Sequence, residues 1–119
     1  MDILELRKQN PWWENSARIE EDPKIRDYEN AVVKWTPRLK KYLFLDKNVV
    51  YSIRGPRQVG KTTLLKIMIR ELLQKNNGIN VIYFACDLLK DNLALNDLLE
   101  TYLNWVRTQN QERIHIFLD

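Results

Sequence analysis

The sequence predicts an α/β fold, a parallel sheet with helices on its faces. Three observations lead there. A β-favouring segment runs through a glycine loop into a helix-spaced stretch, an almost wholly apolar run follows, and a second helix-spaced stretch leads into a third strand-like run. From residue 48 onward the order is therefore strand, loop, helix, strand, helix, strand. Alternation of that kind gives parallel strands joined by right-handed crossovers. Residues 1–36 read differently, as an irregular amino-terminal arm ahead of the sheet region at 37–119.

In the arm, Asn10-Pro11-Trp12-Trp13 reads as a turn followed by two large aromatics. A polar stretch at 20–24 carries a second proline, and Trp35-Thr36-Pro37 holds a third. Each proline fixes φ and lacks an N–H donor, which argues against long regular elements here. The arm is expected to lie across the domain and pin itself with Trp12, Trp13 and Trp35 as packing anchors. An aromatic binding site is the competing reading of those tryptophans.

Pro37 suits the opening of a short helix through Leu39, Leu43 and Phe44, ended by Asp46-Lys47-Asn48. Residues 48–54 (NVVYSIR) are short and β-favouring, hence the first strand. Residues 62–74 carry Leu64, Leu65, Met68, Leu72 and Leu73 at helical spacing, with Asn76-Asn77-Gly78 as the stop. Residues 79–85 (INVIYFA) are apolar except for one position, as in a strand covered on both faces. Leu95, Leu98, Leu99, Tyr102, Leu103 and Val106 mark a second amphipathic helix, with Asp91 or Asn92 as its cap. Residues 113–118 (RIHIFL) form the third strand, and Asp119 follows.

Composition narrows the function. The 119 residues suit one modest domain, and a net charge of +3 is spread over interleaved Lys/Arg and Asp/Glu, so nucleic-acid binding is not indicated. Cys86 is the sole cysteine, which excludes an internal disulfide and fits a reducing compartment. The first residues lack a signal peptide's apolar core, and no apolar run approaches the roughly 20 residues of a membrane span. A cytoplasmic protein without membrane contact is expected.

The chemistry concentrates in Gly55-Pro56-Arg57-Gln58-Val59-Gly60-Lys61-Thr62, which fits the phosphate-loop pattern G-x-x-x-x-G-K-[ST] at every specified position. A polyphosphate needs many donors converging on one point. Glycines let the backbone wrap closely and turn successive N–H groups inward. The loop delivers the anion to the amino end of the following helix, where unpaired N–H groups and roughly half a positive charge face it. Lys61 is placed for the β- and γ-phosphates and Thr62 for Mg²⁺, with Thr63 as a further hydroxyl for the α-phosphate. Arg57 is read as a solvated loop-tip residue within the same binding loop. A second requirement of such sites is an apolar strand ending in an aspartate that orders Mg²⁺. Ile114-His115-Ile116-Phe117-Leu118-Asp119 has that form, so Asp119 joins Thr62 as a metal-site residue and Lys61 as a catalytic one. His115 has no companion for a metal and is read as a packed strand residue.

GPRQVGKTTLL, the elements around it and the strand ending near Phe84-Ala85-Cys86-Asp87 resemble the AAA-type ATPases of archaea and bacteria. The NPWW arm and the KWTPRL segment are similar to that family's leader. The resemblance covers nearly the whole chain, the phosphate loop being its one highly specific motif. It implies an ASCE-type P-loop fold, ATP and Mg²⁺ as ligands, and a hydrolytic glutamate at the position after Asp119. It also implies a later strand between the phosphate-loop strand and the aspartate strand, with sensors and an arginine finger downstream. The chain is thus expected to be the amino-terminal portion of a longer ATPase, truncated after the Walker B aspartate. ATP would be hydrolysed to ADP and phosphate only by the intact protein, and a gap or an exposed strand edge would remain here. A protein partner, or self-association through the rest of the ATPase domain, fits that expectation. Two alternatives stand beside it: a non-catalytic nucleotide switch or interaction module, and a P-loop kinase. Arg107 and Arg113 are too few for a kinase lid.

Overall fold

The computed structural model describes residues 2–31, 38–48, 50–53 and 60–119. The elements are α1 (Ile3–Gln9), α2 (Pro23–Asn30), α3 (Lys61–Leu72), β1 (Val81–Phe84), α4 (Asn92–Gln109) and β2 (His115–Leu118), with short 3₁₀ turns between them. β1 and β2 pair in parallel, Val81 opposite His115 and Phe84 opposite Leu118. Parallel pairing across a helix is the α/β arrangement that the alternation predicts.

The amino-terminal region is helical, and the expectation of an irregular arm is corrected. Asp2 caps α1 by accepting from the Glu5 N–H at 3.0 Å. Asp22 caps α2 through the Lys24 N–H at 2.9 Å. Pro11 and Pro23 each stand in the first turn of an element. A first-turn N–H has no intrahelical partner, so a proline costs nothing there. Leu6, Trp12, Trp13, Ile19 and Ile25 are buried in the same cluster as Leu64, Ile69, Val81, Phe84, Leu98 and Tyr102. Trp12 and Trp13 are therefore packing anchors, as expected, while Trp35 lies outside the described residues.

This leader closes one edge of the sheet. Val81, Tyr83 and Ala85 turn their backbone groups away from β2, and side chains of the leader meet them. The indole N–H groups of Trp12 and Trp13 both donate to the Val81 carbonyl at 2.9 Å. Asn10, fully buried, accepts from the Tyr83 N–H at 2.7 Å and donates to the Tyr83 carbonyl at 3.1 Å. Gln9 accepts from the Ala85 N–H at 3.0 Å. One amide side chain thus reproduces the donor–acceptor pair that a neighbouring strand would supply. Trp12 also fixes the residue type at 78. A Cβ on Gly78 would stand 2.4 Å from the Trp12 carbonyl oxygen, so only glycine lets the two backbones approach.

The helices on either side follow their sequence signals. α3 ends near the expected Asn76-Asn77-Gly78 stop, where the Asn76 amide donates to the Leu72 carbonyl at 2.9 Å. Of the two candidate caps for α4, Asp91 serves, accepting from the Ala94 N–H at 2.9 Å. Tyr102 ties α4 to the start of β1 through a 2.7 Å bond to the Ile79 carbonyl.

The segment before the glycine loop departs from expectation. The helix expected from Pro37 is a 3₁₀ turn, Arg38–Tyr42, Pro37 itself lying outside the described residues. Of the strand expected at 48–54, residues 50–53 are irregular, 48 belongs to a bend, and 49 and 54 fall outside the described residues. A strand needs a paired neighbour, and β2 pairs only with β1 among the described residues. Between β2 and this segment lies a cavity of about 680 Å³, lined by Leu43, Leu45, Ile53, Met68 and Phe117 among others. Among the described residues, no helix is long and apolar enough to cross a membrane.

Candidate functional site

The site is built where the start of α3 meets the end of β2. Gly60 caps α3 with φ 84° and ψ 16°, a left-handed conformation that glycine adopts without a Cβ penalty. Having no side chain, Gly60 leaves the first-turn N–H groups without a side-chain cap, the arrangement an anion needs at a helix start. Lys61, Thr62 and Thr63 occupy that first turn, all half-buried. Lys61 lies in the wall of the 680 Å³ cavity together with Asp119. Gly55, Pro56, Arg57, Gln58 and Val59 lie outside the described residues.

Asp119 is held by the sheet. Its N–H donates to the Phe84 carbonyl at 2.9 Å, and its carbonyl accepts from the Cys86 N–H at 2.7 Å, so the parallel ladder extends one residue past β2. The side chain is thereby aimed at α3. Its Oδ2 accepts from the Thr62 hydroxyl at 2.7 Å. Fifty-seven residues separate the two in sequence. The structure thus brings together the two residues that the sequence assigns separately to the metal site.

These are hard oxygen donors, one hydroxyl and one carboxylate, and that set fits Mg²⁺. Magnesium is commonly held by one or two protein oxygens while phosphates and water complete the octahedron. Among the described residues there is no group of three or more His, Cys, Asp or Glu side chains suited to a metal. His115 packs as a strand residue, its Nε2 2.8 Å from the Leu45 carbonyl oxygen. That bond makes Nε2 the protonated nitrogen; Nδ1 is buried without a hydrogen-bond partner among the described residues.

Two residues at the site were not singled out from the sequence. Tyr83 on β1 donates its hydroxyl to the same Asp119 Oδ2 at 2.7 Å. Burial first, and then the bond to Asp119 and its charge, hold the phenol well above its ordinary range. The other is Lys66 on α3, which is only 7 % exposed. Its ammonium pairs with Asp22 Oδ2 at 2.9 Å and lies 3.8 Å from the centre of the Tyr83 ring. The available signal for Lys66 was a cation inside the apolar stretch Leu64–Ile69 of a helix, four residues past Thr62. Tyr83 gave only a hydroxyl within a strand that otherwise reads as pure core.

Burial, followed by the nearby Asp119 and Asp87 charges, raises the Cys86 thiol above its usual value, so it remains protonated near neutrality.

A family model described as an AAA domain matches residues 47–119, which is more than half of the chain. Comparisons with curated proteins and with solved structures gave no match. The matched stretch contains the whole phosphate loop, α3, both strands and Asp119. The chain belongs to the AAA domain family, whose members are nucleotide-binding, ATPase-like domains.

Proposed function

We propose that the chain binds ATP with Mg²⁺ as the amino-terminal portion of an AAA-type ATPase. The observation that carries this reading is the 2.7 Å contact between Thr62 and Asp119, directly beside the uncapped start of α3. Phosphate oxygens are received by the first-turn N–H groups and by the loop from Gly55 to Gly60, with Lys61 adding a positive charge. Thr62 and Asp119 hold Mg²⁺, which when bound neutralises charge on the phosphate oxygens. Hydrolysis is assigned to the intact ATPase, in which the family resemblance puts the water-activating glutamate directly after Asp119.

Thermal unfolding with ATP and Mg²⁺ tests the binding. A ligand at 100 times its dissociation constant stabilises the folded chain by about 2.7 kcal/mol. The expected result is a shift of that order, lost in Lys61→Ala. An absent shift, or one that persists in Lys61→Ala, removes the reading. Phosphate release by this chain at about 1 s⁻¹, within the ordinary enzyme range, would contradict the assignment of hydrolysis to the intact protein.

A further inference from the structure

We infer that Tyr83 is a positioning residue for Asp119, fixing the carboxylate so that its second oxygen faces the metal position. The inference rests on the nucleotide–magnesium reading above. Oδ2 of Asp119 accepts two bonds at 2.7 Å, one from Thr62 and one from Tyr83. Two donors on one oxygen, arriving from α3 and from β1, leave the carboxylate little freedom to rotate. Oδ1 accepts no hydrogen bond among the described residues and is the oxygen left for a cation or its water.

Tyr83 is itself unusually well held. Asn10 grips its backbone N–H and carbonyl at 2.7 and 3.1 Å. Its ring lies against the Lys66 ammonium, which Asp22 of the leader pairs at 2.9 Å. The residue is only 7 % exposed. A phenol fixed at its backbone, its ring and its oxygen cannot follow a wandering carboxylate; it imposes a position instead. A tyrosine serving only as core would have no reason to aim its hydroxyl at the one carboxylate of the site. The leader thereby reaches the nucleotide site through a single side chain.

The test is the gain in affinity that Mg²⁺ confers on the non-hydrolysable ATP analogue AMP-PNP, measured by calorimetry in EDTA and in excess Mg²⁺. Tyr83→Phe keeps the ring and its packing. It is expected to leave the EDTA affinity within about twofold of wild type and to cut the magnesium gain by about threefold or more, the effect of one lost hydrogen bond. A purely structural role would lower both affinities together. Asp119→Asn removes most of the gain, and adding Tyr83→Phe to it should cost nothing further, because the tyrosine acts through the aspartate.

An unchanged magnesium gain in Tyr83→Phe, or additive losses in the double variant, overturns the inference while leaving nucleotide binding intact. Failure of the wild-type chain to bind AMP-PNP overturns the nucleotide reading, and this inference with it. A second measurement needs no change at position 83. With ¹³C at the tyrosine ring carbon that bears the hydroxyl, Asp119→Asn should move the Tyr83 signal and leave those of the other four tyrosines in place. A Tyr83 signal that does not move overturns the inference.

Discussion

Among the described residues, the two outer edges of the sheet are finished in opposite ways. Along β1, the leader supplies five side-chain hydrogen bonds, from Gln9, Asn10, Trp12 and Trp13, to the backbone of Val81, Tyr83 and Ala85. Along β2, the described residues leave the cavity, and Ile116 and Leu118 are 43 % and 42 % exposed. The difference teaches that a strand edge can be sealed without a strand. What it takes is an amide presenting a donor and an acceptor together, and indoles that bring an N–H and bury a large ring in one residue. Tyr83, whose backbone Asn10 holds on the sealed edge, is also the residue whose hydroxyl reaches Asp119, so edge closure and site geometry share a residue.

Breaking the closed side should have the largest effect. Lys66→Ala takes the cation from the Asp22 carboxylate, whose side chain is 12 % exposed, and from the Tyr83 ring. Breaking a buried pair in this way costs about 3–5 kcal/mol, read from denaturant unfolding. Asn10→Ala is expected to be of comparable size, because it abandons the Tyr83 N–H and carbonyl in the buried interior, at about 1–3 kcal/mol for each unsatisfied group. Amide exchange sharpens that result, because the Tyr83 and Ala85 N–H groups should exchange slowly in the wild type and Tyr83 quickly in the variant. The smallest effect is expected on the other edge. Ile116→Thr keeps a β-branched residue on a half-exposed surface and should stay within about 0.5 kcal/mol of wild type. A loss there as large as that of Asn10→Ala would erase the contrast between the edges.

Much of the core region was legible. The apolar run at 79–85 and the RIHIFL segment became β1 and β2, and the leucine spacing became α3 and α4, because burial sets the period of those segments. Asp119 stands out in the sequence through its place after an apolar strand, and the structure puts its carboxylate 2.7 Å from the Thr62 hydroxyl. The leader's helices are hidden in the sequence because Pro11 and Pro23 look like breakers. Asp22-Pro23 is a cap followed by a first-turn proline, which is a helix start. The roles of Asn10, Lys66 and Tyr83 were not legible for a different reason. Each depends on a contact between residues far apart in the chain, such as the 73 positions between Asn10 and Tyr83, and no local pattern announces it. Residues 50–53 include the β-favouring Val50, Tyr51 and Ile53, but propensity yields no strand where no neighbour among the described residues pairs with it.

The claim that Thr62 and Asp119 form a nucleotide-dependent metal site is tested most directly with Mn²⁺ standing in for Mg²⁺. Electron paramagnetic resonance counts the bound ion with and without ADP. The account predicts one Mn²⁺ retained per chain when ADP is present, little retained without it, and loss of the bound ion in both Thr62→Val and Asp119→Asn. Mn²⁺ that binds equally well without ADP, or that survives both substitutions, would contradict it.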